Sequence, residues 1–108
     1  TATGMTTSPT GTAYYAQSGQ TVTLLNPAIS GTSNLATYTQ TGMPAAIRPA
    51  RNQTFVGGTQ DNGAAYIAAG IIIDTAGVIN FYRTMNQDSF TTSGTKANLS
   101  QSVSYVLN

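Results

Sequence analysis

Cysteine, histidine, tryptophan and glutamate are all missing from this chain of 108 residues. Without cysteine there is neither a disulfide frame nor a thiolate metal site. Without histidine the commonest general base and the commonest metal ligand go together. Charge is nearly missing as well: charged residues are 6% of the chain, against roughly 25% in ordinary globular domains. Arg48, Arg51, Arg83, Lys96, Asp61, Asp74 and Asp88 are the whole set, for a net charge of +1. That is too little for the basic stripe that nucleic acid requires, so no nucleic-acid partner is expected. No apolar run approaches the ~20 residues of a membrane helix, and no signal peptide is visible. Glycoside hydrolysis generally needs two carboxyls at a set separation. Asp61 and Asp74 both sit in turn sequences, which leaves Asp88 without an obvious partner. Serine catalysis lacks its histidine, and an oxygen-ligated metal would need clustered carboxylates. The expectation is a protein that is not an enzyme and holds no cofactor.

What fills the chain instead is threonine, serine, asparagine and glutamine, which hydrate without charge. Short Thr/Val/Tyr-rich runs lie between Gly, Pro, Asn and Ser punctuation, over residues 11–16, 20–25, 34–40, 53–56, 66–73, 78–83 and 102–107. Many short strands at such spacing predict an all-β fold, a small antiparallel barrel or sandwich of about six to seven strands. The run "GAAYIAAG" (63–70) is friendly to helix, but it flows into Ile71–Ile73 and reads as strand. "PAAIRPAR" (44–51), with two prolines, reads as an extended connection. Residues 1–108 are expected to form one domain. Residues 1–10 are expected to be a partly disordered end of a neck or linker. The chain opens on Thr1, as a piece of a longer protein or a processed product would.

The segment "IIIDTAGVINFYR" (71–83) reads as two strands joined by a tight turn. With Asp74 to Gly77 as a four-residue loop, Ile73 pairs with Val78, Ile71 with Asn80 and Gly70 with Phe81. Gly77 then supplies the left-handed position, and Asp74 accepts backbone N–H groups. In that register Ile71, Ile73 and Val78 share one face while Ile72, Ile79 and Phe81 share the other. Two mostly apolar faces ask for cover on both sides. Either a second sheet supplies it or further copies of the chain do, and the expectation is a homotrimer.

The run "IRPARNQTFVGG…AAYIAAGIIIDTAGVINFYR…TTSGTKANLSQSVSYVLN" resembles the C-terminal head domain of receptor-binding proteins from siphophages of lactic acid bacteria, the lactococcal type in particular. The matching features are the "RPARN" connection before a strand, the strand ending in a turn with Gly77, the "GVxxF/W" return strand, a Ser/Gly/Thr loop and a short terminal strand. The resemblance spans roughly residues 47–108. It implies a trimeric β-barrel head at the tip of the phage baseplate, exposed on the virion. Such a head binds host cell-wall saccharide without catalysis and joins other baseplate proteins through a part that precedes it. In that family a His-x-Asp pair, a tryptophan and an arginine hold the sugar or glycerol-phosphate unit. By position the pair falls on Gly70 and Ile72, the tryptophan on Phe81 and the arginine near Lys96. With Gly70 and Ile72 in place of His and Asp, this head either binds a different saccharide or has moved its site.

The candidate saccharide-binding residues are therefore Phe81, Arg83, Lys96, Gly70, Asp88 and Asn86. Phe81 opposite Gly70 is either a flat platform for a sugar ring or an aromatic covering a cross-strand glycine. Arg83, and Lys96 in the loop "TTSGTKAN", either read a phosphodiester of a wall polymer or pair with Asp88 or Asp74. Asn86, Gln87 and Asp88 carry the side chains that bind sugar hydroxyls, which are also those of any solvated loop. The expected partner is a host cell-wall polysaccharide or a glycerol-phosphate-containing polymer. Two other roles remain open at this point: a ligand-free tail or capsid decoration protein, and a bacterial carbohydrate-binding module.

Overall fold

Along Thr21–Asn26 (β3), Val22, Leu24 and Asn26 are buried while Thr21, Thr23 and Leu25 are exposed. This strict alternation defines a strand with one wet face. β3 is the centre of a three-stranded antiparallel sheet, flanked by Tyr14–Ser18 (β2) and Gln101–Val106 (β10). Its inner face adds Val103 and Tyr105 to the core, and on its outer face the Thr23 and Ser104 hydroxyls bond at 3.0 Å.

The computed structural model describes residues 1–108, with seven further strands in a second sheet. These are Ala2–Thr3 (β1), Ile29–Thr32 (β4), Tyr38–Gln40 (β5), Gln53–Gln60 (β6), Ile67–Ile73 (β7), Ile79–Phe81 (β8) and Thr95–Asn98 (β9). Their order is β1-β5-β8-β7-β6-β9-β4, antiparallel throughout. The sheet curls into a nearly closed barrel. Beyond β1, Met5 bridges Ser33 just past the end of β4, and the Thr6 N–H donates to Thr32 O at 2.9 Å. All-β architecture is what the sequence pattern leads one to expect, and that much holds.

Residues 1–10 are the first correction. They are not a loose end, for β1 pairs with β5, Ala2 and Met5 are buried, and the segment completes the barrel wall. Gly4, at φ +88°, lets the backbone pass so close to Thr37 O that any Cβ would collide with it.

Several strand limits also shift. Pairing covers only Tyr38–Gln40 of the run 34–40 and only Ile79–Phe81 of 78–83, whereas β6 continues through Gly57 and Gly58 to Gln60. β7 starts at Ile67, so Gly63 to Tyr66 lie outside it, Gly63 in the preceding turn. β4 and β9 are strands that the sequence pattern does not announce. The proline-rich stretch 44–51 is not wholly extended: Ala45–Ile47 makes a 3₁₀ turn with Ile47 buried, and the Tyr105 hydroxyl donates to Ile47 O at 2.7 Å.

The hairpin register is the most consequential correction. Ile73 pairs with Ile79, Ile72 with Asn80 and Ile71 with Phe81, one residue away from expectation. The cause lies in the turn. Asp74 N–H donates to Val78 O at 3.0 Å, and Asp74 Oδ1 accepts the N–H groups of Ala76 and Val78, each at 3.0 Å. Val78 therefore belongs to the turn, while Gly77 at φ +80° takes the left-handed position as expected. A slip of one residue reverses the faces of the whole return strand. Ile71, Ile73, Ile79 and Phe81 then gather on the inner face. The outer face keeps only half-buried Ile72 beside Asn80, whose amide donates to Ile72 O, Val78 O and Asp74 Oδ2. The hairpin is not apolar on both faces and needs no second copy to cover it.

Candidate functional site

The six expected site residues separate into two groups. Phe81 is 2% exposed and faces the core, stacked on Tyr38 with ring centroids 4.5 Å apart. It lies opposite Ile71, not Gly70, so it is no platform for an outside ligand. Lys96 is not in a loop. It lies on β9, fully buried, and its three donors go to Gly4 O, Leu35 O and Thr37 O at 2.8, 2.8 and 2.7 Å. An ammonium has three N–H groups and no acceptor, so its hydrogen bonding is complete. The Phe90 and Tyr38 rings flank it at 5.2 and 5.9 Å. Burial pulls its pKa below the usual lysine value, and the charge of Asp61 offsets part of that. Lys96 ties the N-terminal segment to the 35–37 turn and has no donor left for a phosphate.

The other four gather on the outer side of the barrel. Gly70 N–H donates to Thr84 O at 3.2 Å, and the Gln87 side chain covers the glycine. Arg83 Nε donates to Ser89 O at 2.9 Å and stands 3.8 Å from Asp61 Oδ2. Thr84 Oγ1 donates to Asp88 Oδ2 at 2.6 Å and accepts the Asn86 N–H. Asp61 Oδ1 in turn accepts both the N–H and the hydroxyl of Thr91 at 2.9 Å. These polar groups bond chiefly to one another and shape a loop on an exposed surface.

A concavity of about 430 Å³ lies elsewhere, at one mouth of the barrel. Its lining draws Tyr15 on β2 and Leu24 on β3 from the smaller sheet, and Ile29 and Ile79 from the larger. The 41–47 connection closes a side through Met43 and Ile47, and Gln40 stands at the floor. No charged side chain lines it; the one charged group at its edge is the Thr1 ammonium, which donates to Thr41 O at 3.1 Å. Tyr15 points to the inner side of its sheet but is 50% exposed, because β2 overhangs the core at this mouth.

Beneath the floor lies a buried polar network. Asn98 Oδ1 accepts from Ile29 N–H at 3.2 Å, from Gln40 Nε2 at 3.1 Å and from the Tyr38 hydroxyl. Asn98 Nδ2 donates to Pro27 O and Leu99 O, both at 3.0 Å. Burial pushes the Tyr38 phenol well above its ordinary pKa, only partly opposed by its hydrogen bond with Gln40, so this hydroxyl stays a donor. Buried polar groups left unpaired are costly, so a network this complete fixes its members in one orientation.

No protein-family model, curated protein or solved structure matches this chain. The geometry of the cleft therefore carries the functional reading. Neither Tyr15 nor Gln40 is among the residues that the sequence marks for a site. The available signal was slight: in "TYTQ" a lone glutamine falls on the inward parity of Tyr38, where an apolar residue is the norm.

Proposed function

We propose that this chain is a non-catalytic, saccharide-binding adhesion head, with which a phage virion attaches from its tail tip to the host cell wall. One observation carries the reading: the mouth of the barrel is a cleft lined by no charged side chain, with an exposed aromatic, Tyr15, and an amide at its floor, Gln40. Barrel mouths are preferred positions for small ligands. An aromatic face packs against sugar C–H groups, and amides and hydroxyls meet sugar hydroxyls without the cost of burying an ion. The commitments of the three aspartates to local hydrogen bonds, Asp74 in its turn, Asp61 with Thr91 and Asp88 with Thr84, favour binding over hydrolysis. In this role the head works as a homotrimer. The exposed, uncharged strand β2, paired on one edge only, supports association with further copies. Three linked sites would raise apparent affinity for a repetitive polymer by ~10²–10⁴.

The test is sedimentation of purified protein with cell walls of lactic acid bacteria, alongside an assay for released reducing ends. Saturable binding with no release is expected. Absence of binding to any wall polysaccharide would sink the reading, and so would turnover that is lost in Asp88→Asn.

A further inference from the structure

We infer that the cleft at the barrel mouth takes an uncharged sugar ring, oriented by a hydroxyl or amide N–H that the ring donates to Gln40 Oε1. The inference rests on the saccharide-binding reading and deepens it by naming the site and its selectivity.

Its starting point is the orientation of two amides, which backbone groups dictate. Ile29 N–H can only donate, and it meets Asn98 Oδ1 at 3.2 Å. Pro27 O and Leu99 O can only accept, and both meet Asn98 Nδ2. The Asn98 amide thus has one allowed orientation, with its oxygen toward β5. That oxygen and Pro27 O, both acceptors, face the same Gln40 atom at 3.1 and 3.3 Å, so that atom must be the nitrogen. The Gln40 amide is fixed in its turn, nitrogen inward. Amide orientation is often a matter of assignment, but here the backbone leaves no choice.

What remains is Gln40 Oε1. The residue is 5% exposed, lines the cleft, and has all its side-chain hydrogen bonds through nitrogen. Its oxygen accepts no hydrogen bond from the protein and is not sealed from solvent. A fixed acceptor at the floor of an apolar cleft selects for a donor. It disfavours anions: a phosphate or carboxylate brings a further acceptor, no cationic side chain lines the cleft, and the one cation at its edge, the Thr1 ammonium, already donates to Thr41 O at 3.1 Å. Tyr15 on the rim supplies the flat face against which a pyranose can pack. The expected ligand unit is accordingly neutral, and a glycerol-phosphate unit is disfavoured at this cleft.

The experiment is an NMR titration of the isotope-labelled full chain with methyl glucoside, rhamnose and N-acetylglucosamine as neutral probes. Glucose 6-phosphate and glycerol 1-phosphate serve as anionic ones. At least one neutral probe should shift Tyr15, Thr41 and Met43 together with the Gln40 side-chain carbonyl carbon, and anionic probes should bind at least tenfold more weakly. Removing a single hydroxyl, tested through the monodeoxy forms of the best neutral probe, should weaken binding tenfold or more at one position, because Oε1 is then left unpaired. Tyr15→Ala, at an exposed position, should weaken binding at least fivefold with an unchanged melt. Phosphorylated probes binding the cleft as tightly as neutral ones would overturn the inference, as would shifts confined to the loop from Arg83 to Asp88. Either result leaves the saccharide-binding reading standing. If only whole wall polysaccharide binds, Tyr15→Ala decides, and parent-like binding by that variant overturns the inference. No binding of any probe or wall polymer overturns both.

Discussion

A lysine on a loop is ordinarily a solvated charge whose removal costs little, and Lys96 has the opposite character. Its ammonium replaces ladder partners for Gly4 O, Leu35 O and Thr37 O, which lie in irregular backbone. Lys96→Ala leaves Thr37 O unpaired, reduces Gly4 O and Leu35 O to their bonds with Asn34 N–H and the Ser33 hydroxyl, and opens a void beside Phe90, so it should cost about 2–5 kcal/mol, read as a shift in the urea midpoint at constant slope. A loss under about 1 kcal/mol would refute this account of the residue. Burial also sets an alkaline limit. The pKa values of Tyr38 and Tyr105 are raised above the ordinary value of 10.0 by desolvation. Above that value the unfolded chain releases protons that the fold retains, so stability falls as pH rises. Lys96 acts in the opposite sense: its lowered folded pKa adds stability as pH rises through a window that ends at its ordinary 10.5. Beyond that point the tyrosines act alone, each contributing up to about 1.4 kcal/mol per pH unit. Urea melts between pH 10.5 and 12 should show this decline, and Tyr105→Phe should make it shallower.

Among the elements, the turn between β7 and β8 decides which side chains reach the core. Asp74 Oδ1 holds the N–H groups of Ala76 and Val78, and by retaining Val78 in the turn it sends Ile79 and Phe81 inward. Burying such side chains is worth roughly 1.5–3 kcal/mol each, which the alternative register would forfeit. Asp74→Ala should therefore destabilise by about 1–3 kcal/mol through its three lost bonds, to the N–H groups of Ala76 and Val78 and to the Asn80 amide, as judged by thermal or urea melting. Asp74→Asn, which keeps an acceptor oxygen, should recover most of that loss. Parent-like stability of Asp74→Ala would mean that packing of Ile79 and Phe81 alone sets the register.

At the scale of the whole molecule, residues 1–6 act as a staple. They add β1 to the free edge of β5, bring Ala2 and Met5 into the core and supply one of the three Lys96 acceptors. Deleting them should cost at least about 3 kcal/mol, in the range of losing a large core side chain, with the urea midpoint as the measure. A truncated chain that melts like the parent would show that the barrel does not depend on this closure. Assembly is the other question at this scale. Since the hairpin face is covered within one chain, self-association rests on the bare edge of β2 and on the net charge of +1, which offers little repulsion. Light scattering at micromolar concentration should give a trimer, and Ala16→Lys on that edge should lower the mass. A clean 11.2 kDa species would remove the trimer from the proposed function.

The all-β class was legible in the sequence because it depends on local preferences: β-branched runs, glycine and asparagine at turns, and the near absence of helix-forming stretches. Gly77 and the Asp74 turn could be read for the same reason, since their hydrogen bonds close within five residues. The register was not legible, because whether Val78 belongs to the turn or to the strand is decided by how Ile79 and Phe81 pack against distant partners such as Tyr38. Lys96 and Gln40 show the limit most clearly. One reads as a surface charge and the other as a polar strand residue, yet their partners Gly4 and Pro27 lie 92 and 13 residues away. Hydrogen-bonding partners so far apart in the chain leave no local pattern. Only closure of the barrel brings a buried cation to three carbonyls and leaves one amide oxygen facing a cleft lined by no charged side chain.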